Sequence, residues 1–281
     1  MGAIITLTTD FGLTDAYVAA MKGVMLSINP EVRLIDICHT IQPQNIPQAA
    51  YILSTACRFF PQKTIHMVIV DPGVGTERRA IILRTPMADF VAPDNGVLSY
   101  IVQDFLAKPV DSNVSTQQIK LEPELEAVAI TKPEFWRLPV SSTFHGRDIF
   151  APVAARLSLG FPPKDFGEAI TTVAMLPVHH PYKAKDGSLV GHILHIDSFG
   201  NLITNIRSGD LPQTKEAINI EVGNQLITGL SQTYAEGSGL LALIGSGDHL
   251  EVALKEGSAS ALLKVEVGDE VRIRQLSGGS Q

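Results

Sequence analysis

Short runs of apolar and β-branched residues alternate with helix-periodic segments through the amino-terminal part of the chain, and this rhythm narrows the fold more than any other feature. Ala3–Thr9 is the first such run, and it stops at Asp10-Phe11-Gly12. Thr14 is placed to cap the next segment, where Tyr17, Met21, Val24 and Ile28 recur at helical spacing until Asn29-Pro30. Val32–Cys38 reads as a second strand, and Pro47 opens a helix to about Phe60. Ile65–Val70 is a continuous run of the kind buried on both faces, and it ends at Asp71-Pro72-Gly73-Val74-Gly75. Ala80–Thr85 and Asp89–Ala92 add two strands, and Asn95-Gly96 marks a turn before a helix to about Leu106. Such alternation predicts an α/β fold, a mostly parallel sheet flanked by helices.

The character changes after a helix that begins near Arg147. Gly160 to Lys185 holds four prolines and the pair His179-His180, which reads as a linker. Beyond it, Leu189–Asp197, Ile218–Val222, Leu240–Ile244, Glu251–Leu254 and Asp269–Gln275 read as short strands with turn signals between them. The expected organisation is an α/β domain over 1–173, a linker over 174–186 and a smaller all-β domain over 187–281. A length of 281 residues suits two domains at roughly 150 residues each.

Composition removes several function classes. Lys and Arg number 22 against 29 Asp and Glu, a net charge of −7, so the basic footprint of a nucleic-acid binder is missing. No apolar run reaches membrane-span length, and residues 1–9 lack the basic start of a signal peptide. Cys38 and Cys57 are the only cysteines and form no CxxC pair, which argues against a disulfide framework or a cysteine zinc site. A soluble, cytoplasmic protein is expected.

Open α/β sheets bind ligands beyond the carboxyl ends of their strands, where Asp10 and Asp71 stand. Each is also what an Asx-turn or helix cap would look like. The 72–76 segment lacks the Lys-Ser/Thr ending of a phosphate loop and is not completed to GxGxxG, so nucleotide-triphosphate and dinucleotide binding are unsupported. His145, in Phe144-His145-Gly146-Arg147-Asp148, is open to reading as a base, a cap or a core residue; no second histidine stands at metal-ligand spacing. Asp36 and His39 frame Cys38 without a confirming partner motif. Asp197-Ser198-Phe199-Gly200-Asn201 and Gly245-Ser246-Gly247-Asp248 read locally as turns.

Taken in order, Thr9–Gly12 with Asp15, Val70–Gly75 with Arg78, Ala92–Gly96, Thr143–Asp148, Ile196–Asn201 and Ser246–Ser258 resemble one family. It is the S-adenosyl-L-methionine (SAM) hydroxide adenosyltransferases, the adenosine-forming SAM hydrolases related to the SAM-dependent fluorinase and chlorinase. The resemblance implies a carboxy-terminal β-barrel-like domain and a homotrimer whose sites lie between one subunit's first domain and a neighbour's second. It implies hydrolysis of SAM to adenosine and L-methionine by water or hydroxide attack at ribose C5′, with no cofactor and no metal. Catalytic roles fall to Asp71, Arg78 and His145. By the same resemblance Asp10 takes the ribose hydroxyls, Phe144 and Phe199 pack around ribose and adenine, and Asn201 reads the adenine edge. Asp15, Asp197 and Ser246 hold the methionine end, and the loop near Glu256 approaches the adenine.

Departures from the halogenating relatives favour hydrolysis. Those proteins lack the Asp71 and His145 pair, and they carry an aromatic residue at the position of Gln44 and a halide-contacting serine at Gly146. A carboxylate-lined pocket repels a halide, whose desolvation is already costly. Gly247 replaces an arginine that binds the methionine carboxylate in those relatives. The alternatives are a SAM-dependent halogenase and a module that binds SAM or adenosine with negligible turnover.

Overall fold

The computed structural model describes residues 2–107, 115–212, 218–236 and 239–275. They divide into two compact units, Met1–Val178 and His179–Gln281. Strands of the first unit are β1 (Ile4–Thr9), β2 (Arg33–Cys38), β3 (Thr64–Ile69), β4 (Ala80–Arg84), β5 (Ala88–Pro93), β6 (Gln117–Lys120), β7 (Glu126–Ile130), β8 (Gly167–Ile170) and β9 (Thr172–Met175). Its helices are α1 (Tyr17–Ile28), α2 (Ile46–Cys57), α3 (Ser99–Gln103) and α4 (Ala151–Ser158). Seven strands form one sheet in the order β2-β1-β3-β5-β4-β7-β8, and β6 pairs with β9 separately.

The sheet is mixed. From β2 to β5 the pairing is parallel, and β4, β7 and β8 join antiparallel. Connection length decides this: Thr85–Met87 between β4 and β5 is far too short for a parallel crossover and closes as a hairpin, with the Thr85 hydroxyl bonded to Ala88. β3 is buried throughout because side chains of alternate residues feed two cores. Ile65, Met67 and Ile69 pack with Met21 and Met25 of α1 and with α4, whereas Val68 packs on the other face with Ala49 and Leu53 of α2.

Local signals differ in detail. α1 begins at Tyr17 after Ala16, and no side chain caps it, so Thr14 does not fill that role. Asn45 caps α2 by accepting from the Gln48 amide, with Pro47 in the first turn. The proline-rich stretch from Gly160 is not a plain linker, since it supplies β8 and β9; its prolines all fall outside those strands.

The second unit is antiparallel throughout and barrel-like. It contains β10 (Tyr182–Lys183), β11 (Leu189–Ile196), β12 (Leu202–Arg207), β13 (Ile218–Val222), β14 (Gln225–Thr228), β15 (Leu240–Ile244), β16 (His249–Leu254), α5 (Ala259–Leu263) and β17 (Glu270–Gln275). Its main path runs β14-β13-β17-β11-β12-β16-β15. Alternation is clean in β13, where Ile218, Ile220 and Val222 enter the core with Val252, Val271 and Ile273. β12 and β14 escape a periodicity reading because β12 carries Thr204-Asn205 at its centre and β14 is short and largely exposed. Among the described residues no helix is long and apolar enough to cross a membrane.

Candidate active site

β1 is followed by β2 on one side of it and, after α2, by β3 on the other. The strand order therefore reverses at β1, and the crevice beyond the carboxyl ends of the parallel β1 and β3 is where an open α/β sheet receives ligands. Register sets Thr9 beside Ile69, so Asp10 and Asp71 leave neighbouring strand ends close together. A cavity of about 370 Å³ opens there. Asp10 and Asp71 line it with Gln44, Phe144 and His145. A larger hollow of about 860 Å³ lies at the opposite ends of the same strands, around Ile4, Thr64 and Ala88, away from these groups.

Asp71, Arg78 and His145 meet in space. Arg78 grips Asp71 with two groups, Nε to Oδ1 at 3.0 Å and Nη2 to Oδ2. The same Nη2 lies 3.3 Å from Nδ1 of His145. The pair is nearly dry, with side-chain exposures of 8% for Arg78 and 5% for Asp71. Arg78 also lies against the Phe150 ring and does not itself line the cavity. Burial raises the Asp71 carboxyl above its ordinary value, against the opposing pull of Arg78 and His145. Burial and the Arg78 charge lower His145, with Asp71 offsetting part of that. A guanidinium has no acceptor, so Nδ1 must bring the lone pair, and the neutral ring then carries its proton on Nε2.

Two loops create this meeting, and glycine makes their approach possible. Gly75 has φ of 77°, and a β-carbon there would stand 2.4 Å from the Ser142 carbonyl oxygen. His145 precedes a π-helical turn over Gly146–Phe150, a distortion often found where side chains are re-aimed for function. Asp148 anchors that turn. Its buried carboxylate accepts Arg147 Nε and Nη2 at 2.7 Å each and the Ser141 amide at 2.9 Å. Burial pushes Asp148 up, but those donors outweigh it and hold the group below the ordinary carboxylate range. On the far side of Asp71, Asn95 Nδ2 donates to the Val70 carbonyl at 2.9 Å, so the 92–96 segment acts as scaffold.

Asp10 Oδ2 accepts the Gln44 amide at 2.8 Å, and Gln44 takes φ of 65° to present it. Phe11, Tyr17 and Phe144 form an aromatic cluster with centroids 5.1 to 5.8 Å apart. Tyr17 looks like a core position of α1 by spacing, yet it is half exposed and lines the cavity. Only its aromatic type beside Asp15 could have signalled that. Asp15 is exposed in the bend before α1 and is not among the cavity residues.

Within the second unit, Asp197 closes a turn on itself. Its Oδ1 accepts the Phe199 and Asn201 amides, both at 2.9 Å, and Oδ2 accepts Asn201 Nδ2 at 3.0 Å. Gly200, at φ of 84°, brings this turn against Ser258, which caps α5. Phe199 is left 77% exposed. Ser246 and Glu256 are exposed in neighbouring turns, Glu256 at φ of 57°.

Residues 5–167 match the SAM hydroxide adenosyltransferase N-terminal domain, and residues 191–272 match the corresponding C-terminal domain. An (R)-S-adenosyl-L-methionine hydrolase of Salinispora tropica is 35% identical over 96% of this chain and 97% of its own. A fluorinase of Nocardia brasiliensis is 27% identical over 96% of each. A crystal structure of an uncharacterized conserved protein from Thermotoga maritima superposes with a TM-score of 0.84 at 33% identity, covering 96% of this chain and all of that one.

Proposed function

The chain belongs to the SAM hydroxide adenosyltransferase family, and from that premise we propose that it hydrolyses S-adenosyl-L-methionine to adenosine and L-methionine. The observation that carries the reading is the buried Asp71–Arg78 pair joined to His145 at the rim of the switch-point cavity.

Water attacks C5′ as the C5′–S bond breaks, and the bonding pair returns to sulfur. Methionine leaves as a neutral thioether, so no negative charge develops on the leaving group and neither a metal nor a cofactor is needed. The demanding partner is water, whose pKa in bulk is about 15.7. Asp71 accepts the proton that water sheds, since each carboxylate oxygen keeps a lone pair beyond its bond to Arg78. His145, with its proton on Nε2, orients the water oxygen. Arg78 acts through both by fixing the carboxylate and occupying Nδ1. Asp10 accepts the ribose hydroxyls, and the Phe11, Tyr17 and Phe144 cluster supplies an apolar wall.

The second unit contributes from a neighbouring subunit of a homotrimer. Phe199, exposed on a turn fixed by Asp197, is preformed to stack on adenine. Asn201 keeps its carbonyl oxygen for the adenine edge, because only its amide nitrogen is spent on Asp197. Asp197 shapes the turn and, with a lone pair left on Oδ2, serves the methionine end together with the exposed Asp15 and Ser246, and the Glu256 turn faces the adenine. A cytoplasmic site of action suits the free Cys38 and Cys57.

Incubation with each sulfonium epimer of SAM in halide-free buffer tests the assignment. Adenosine and methionine in equal amounts over many turnovers, faster from the (R) epimer named for the Salinispora relative, is the expected result. A halide requirement would make the protein a halogenase, and tight binding without turnover would make it a binding module.

A further inference from the structure

Behind Asp10 lies a chain of polar contacts that the hydrolytic reading does not use. Thr9 and His39 are buried, at 0% and 4% exposure. Thr9 Oγ1 accepts the Phe11 amide at 3.2 Å and lies 2.8 Å from Nδ1 of His39. Nε2 of His39 lies 3.0 Å from Asp36 Oδ1, and the other Asp36 oxygen takes Lys22 Nζ of α1 at 2.6 Å. The His39 carbonyl accepts the Gly12 amide at 2.7 Å, and Gly12 needs φ of 68° to deliver it.

Charge and contact favour one proton arrangement of the neutral ring. The Asp36 carboxylate accepts only and stands 3.0 Å from Nε2, so a neutral ring carries its proton on that nitrogen, and Nδ1 is left as the acceptor for the Thr9 hydroxyl. Thr9 then donates to His39 while accepting from Phe11. Burial pushes Asp36 up, but Lys22 and His39 outweigh it and hold the carboxyl below its ordinary value, as an ionised acceptor requires. The set looks like a hydrolytic triad but cannot act as one. Its hydroxyl is fully buried, and hydroxyl and carboxylate stand on the reverse nitrogens from those of the serine triad.

Its geometric effect falls on the Asp10–Gly12 turn. The turn is tied to His39 at both ends, through Thr9 and Phe11 on one side and Gly12 on the other. Asp10 stands between these ties, and its carboxylate is steadied by Gln44, five residues beyond His39. We infer that His39, standing against Asp36 through Nε2 and tied to the turn through Thr9 and Gly12, is a positioning residue that aims the Asp10 carboxylate at the ribose hydroxyls. This rests on the reading of Asp10 as the ribose acceptor.

The test measures dissociation constants of adenosine and 2′,3′-dideoxyadenosine by calorimetry on the full-length protein, and takes their ratio. The ratio isolates the hydroxyl contacts and is insensitive to the fraction of folded protein. In His39→Leu adenosine should weaken by about tenfold, the scale of one lost hydrogen bond to a charged group, while the dideoxy ligand hardly changes. His39→Asn, whose amide oxygen can take the place of Nδ1, should recover most of the wild-type ratio. Equal weakening of both ligands in His39→Leu would reduce the chain to a structural role and overturn the inference. An unchanged ratio in His39→Leu, with a collapsed ratio in Asp10→Asn, would overturn it while sparing Asp10. An unchanged ratio in Asp10→Asn would remove the ribose reading and the inference together.

Discussion

Asp71 in the first unit and Asp197 in the second follow strands in the same way, each entering a turn that contains glycine. Their carboxylates have opposite fates. Asp197 spends three hydrogen bonds on its own turn, two of them on backbone amides within four residues. Asp71 is gripped by Arg78 across a loop and reaches His145 of a distant segment through it. A carboxylate satisfied locally stiffens a turn, whereas one held by a charge from elsewhere remains an acceptor with a tuned environment. The first is suited to presenting a neighbour such as Phe199, the second to accepting a proton.

The contrast can be broken most decisively by Asp71→Asn. Turnover should fall by about 10²–10⁴-fold while adenosine binding persists, the scale of a lost general base. Asp197→Asn should leave most of the turnover and cost about 1 kcal/mol of stability, read by urea denaturation. Equal kinetic losses would erase the distinction. Next in size, Arg78→Met strands a buried carboxylate and should destabilise the fold by about 3–5 kcal/mol, where no exposed charge of the Asp197 turn could do so.

Two glycines sharpen the same contrast. Gly75→Ala should destabilise by more than about 1 kcal/mol, since it forces a positive φ and meets a backbone carbonyl. Gly200→Ala should cost at least as much, because a β-carbon there would stand 2.1 Å from the Ser258 hydroxyl, 2.6 Å from its Cβ and 3.0 Å from its Cα, at an equally unfavourable φ. A smaller loss for Gly200→Ala than for Gly75→Ala in thermal denaturation would show that the approach to Ser258 is not the tighter constraint.

The pH behaviour follows from His145. Its pKa lies below the ordinary 6.5, so between those two values the unfolded chain binds the extra proton and stability contributed by this group rises with pH. The acid limb of kcat/KM should likewise lie below 6.5. Asp71→Asn removes the charge that partly restores the imidazolium, so the His145 titration observed by NMR should move further down. A rise would mean the two groups are not coupled as the distances indicate. The smallest effect is expected of Phe199→Ala, which should change stability by less than about 0.5 kcal/mol because the ring is exposed. A marked rise in KM for SAM in that variant would support its contact with substrate.

Sequence alone determined the elements whose periodicity is forced by burial. β1, β3 and β13 show in the pattern because each feeds side chains into a core, while β12 and β14 do not, since polar or exposed residues interrupt them. It also placed Asp10 and Asp71 at strand ends, a matter of where apolar runs stop. Tertiary structure decided what those aspartates are. The reversal of strand order at β1 sets them side by side, and Gly75 against Ser142 brings Arg78 to the Asp71 carboxylate and His145 to Arg78. It likewise decided that Asp36, His39 and Thr9 form one chain, although Asp36 and His39 stand three residues apart and Thr9 lies on another strand. Spacing along the chain records local burial, but hydrogen bonds between loops depend on register and crossover direction, which no single segment encodes.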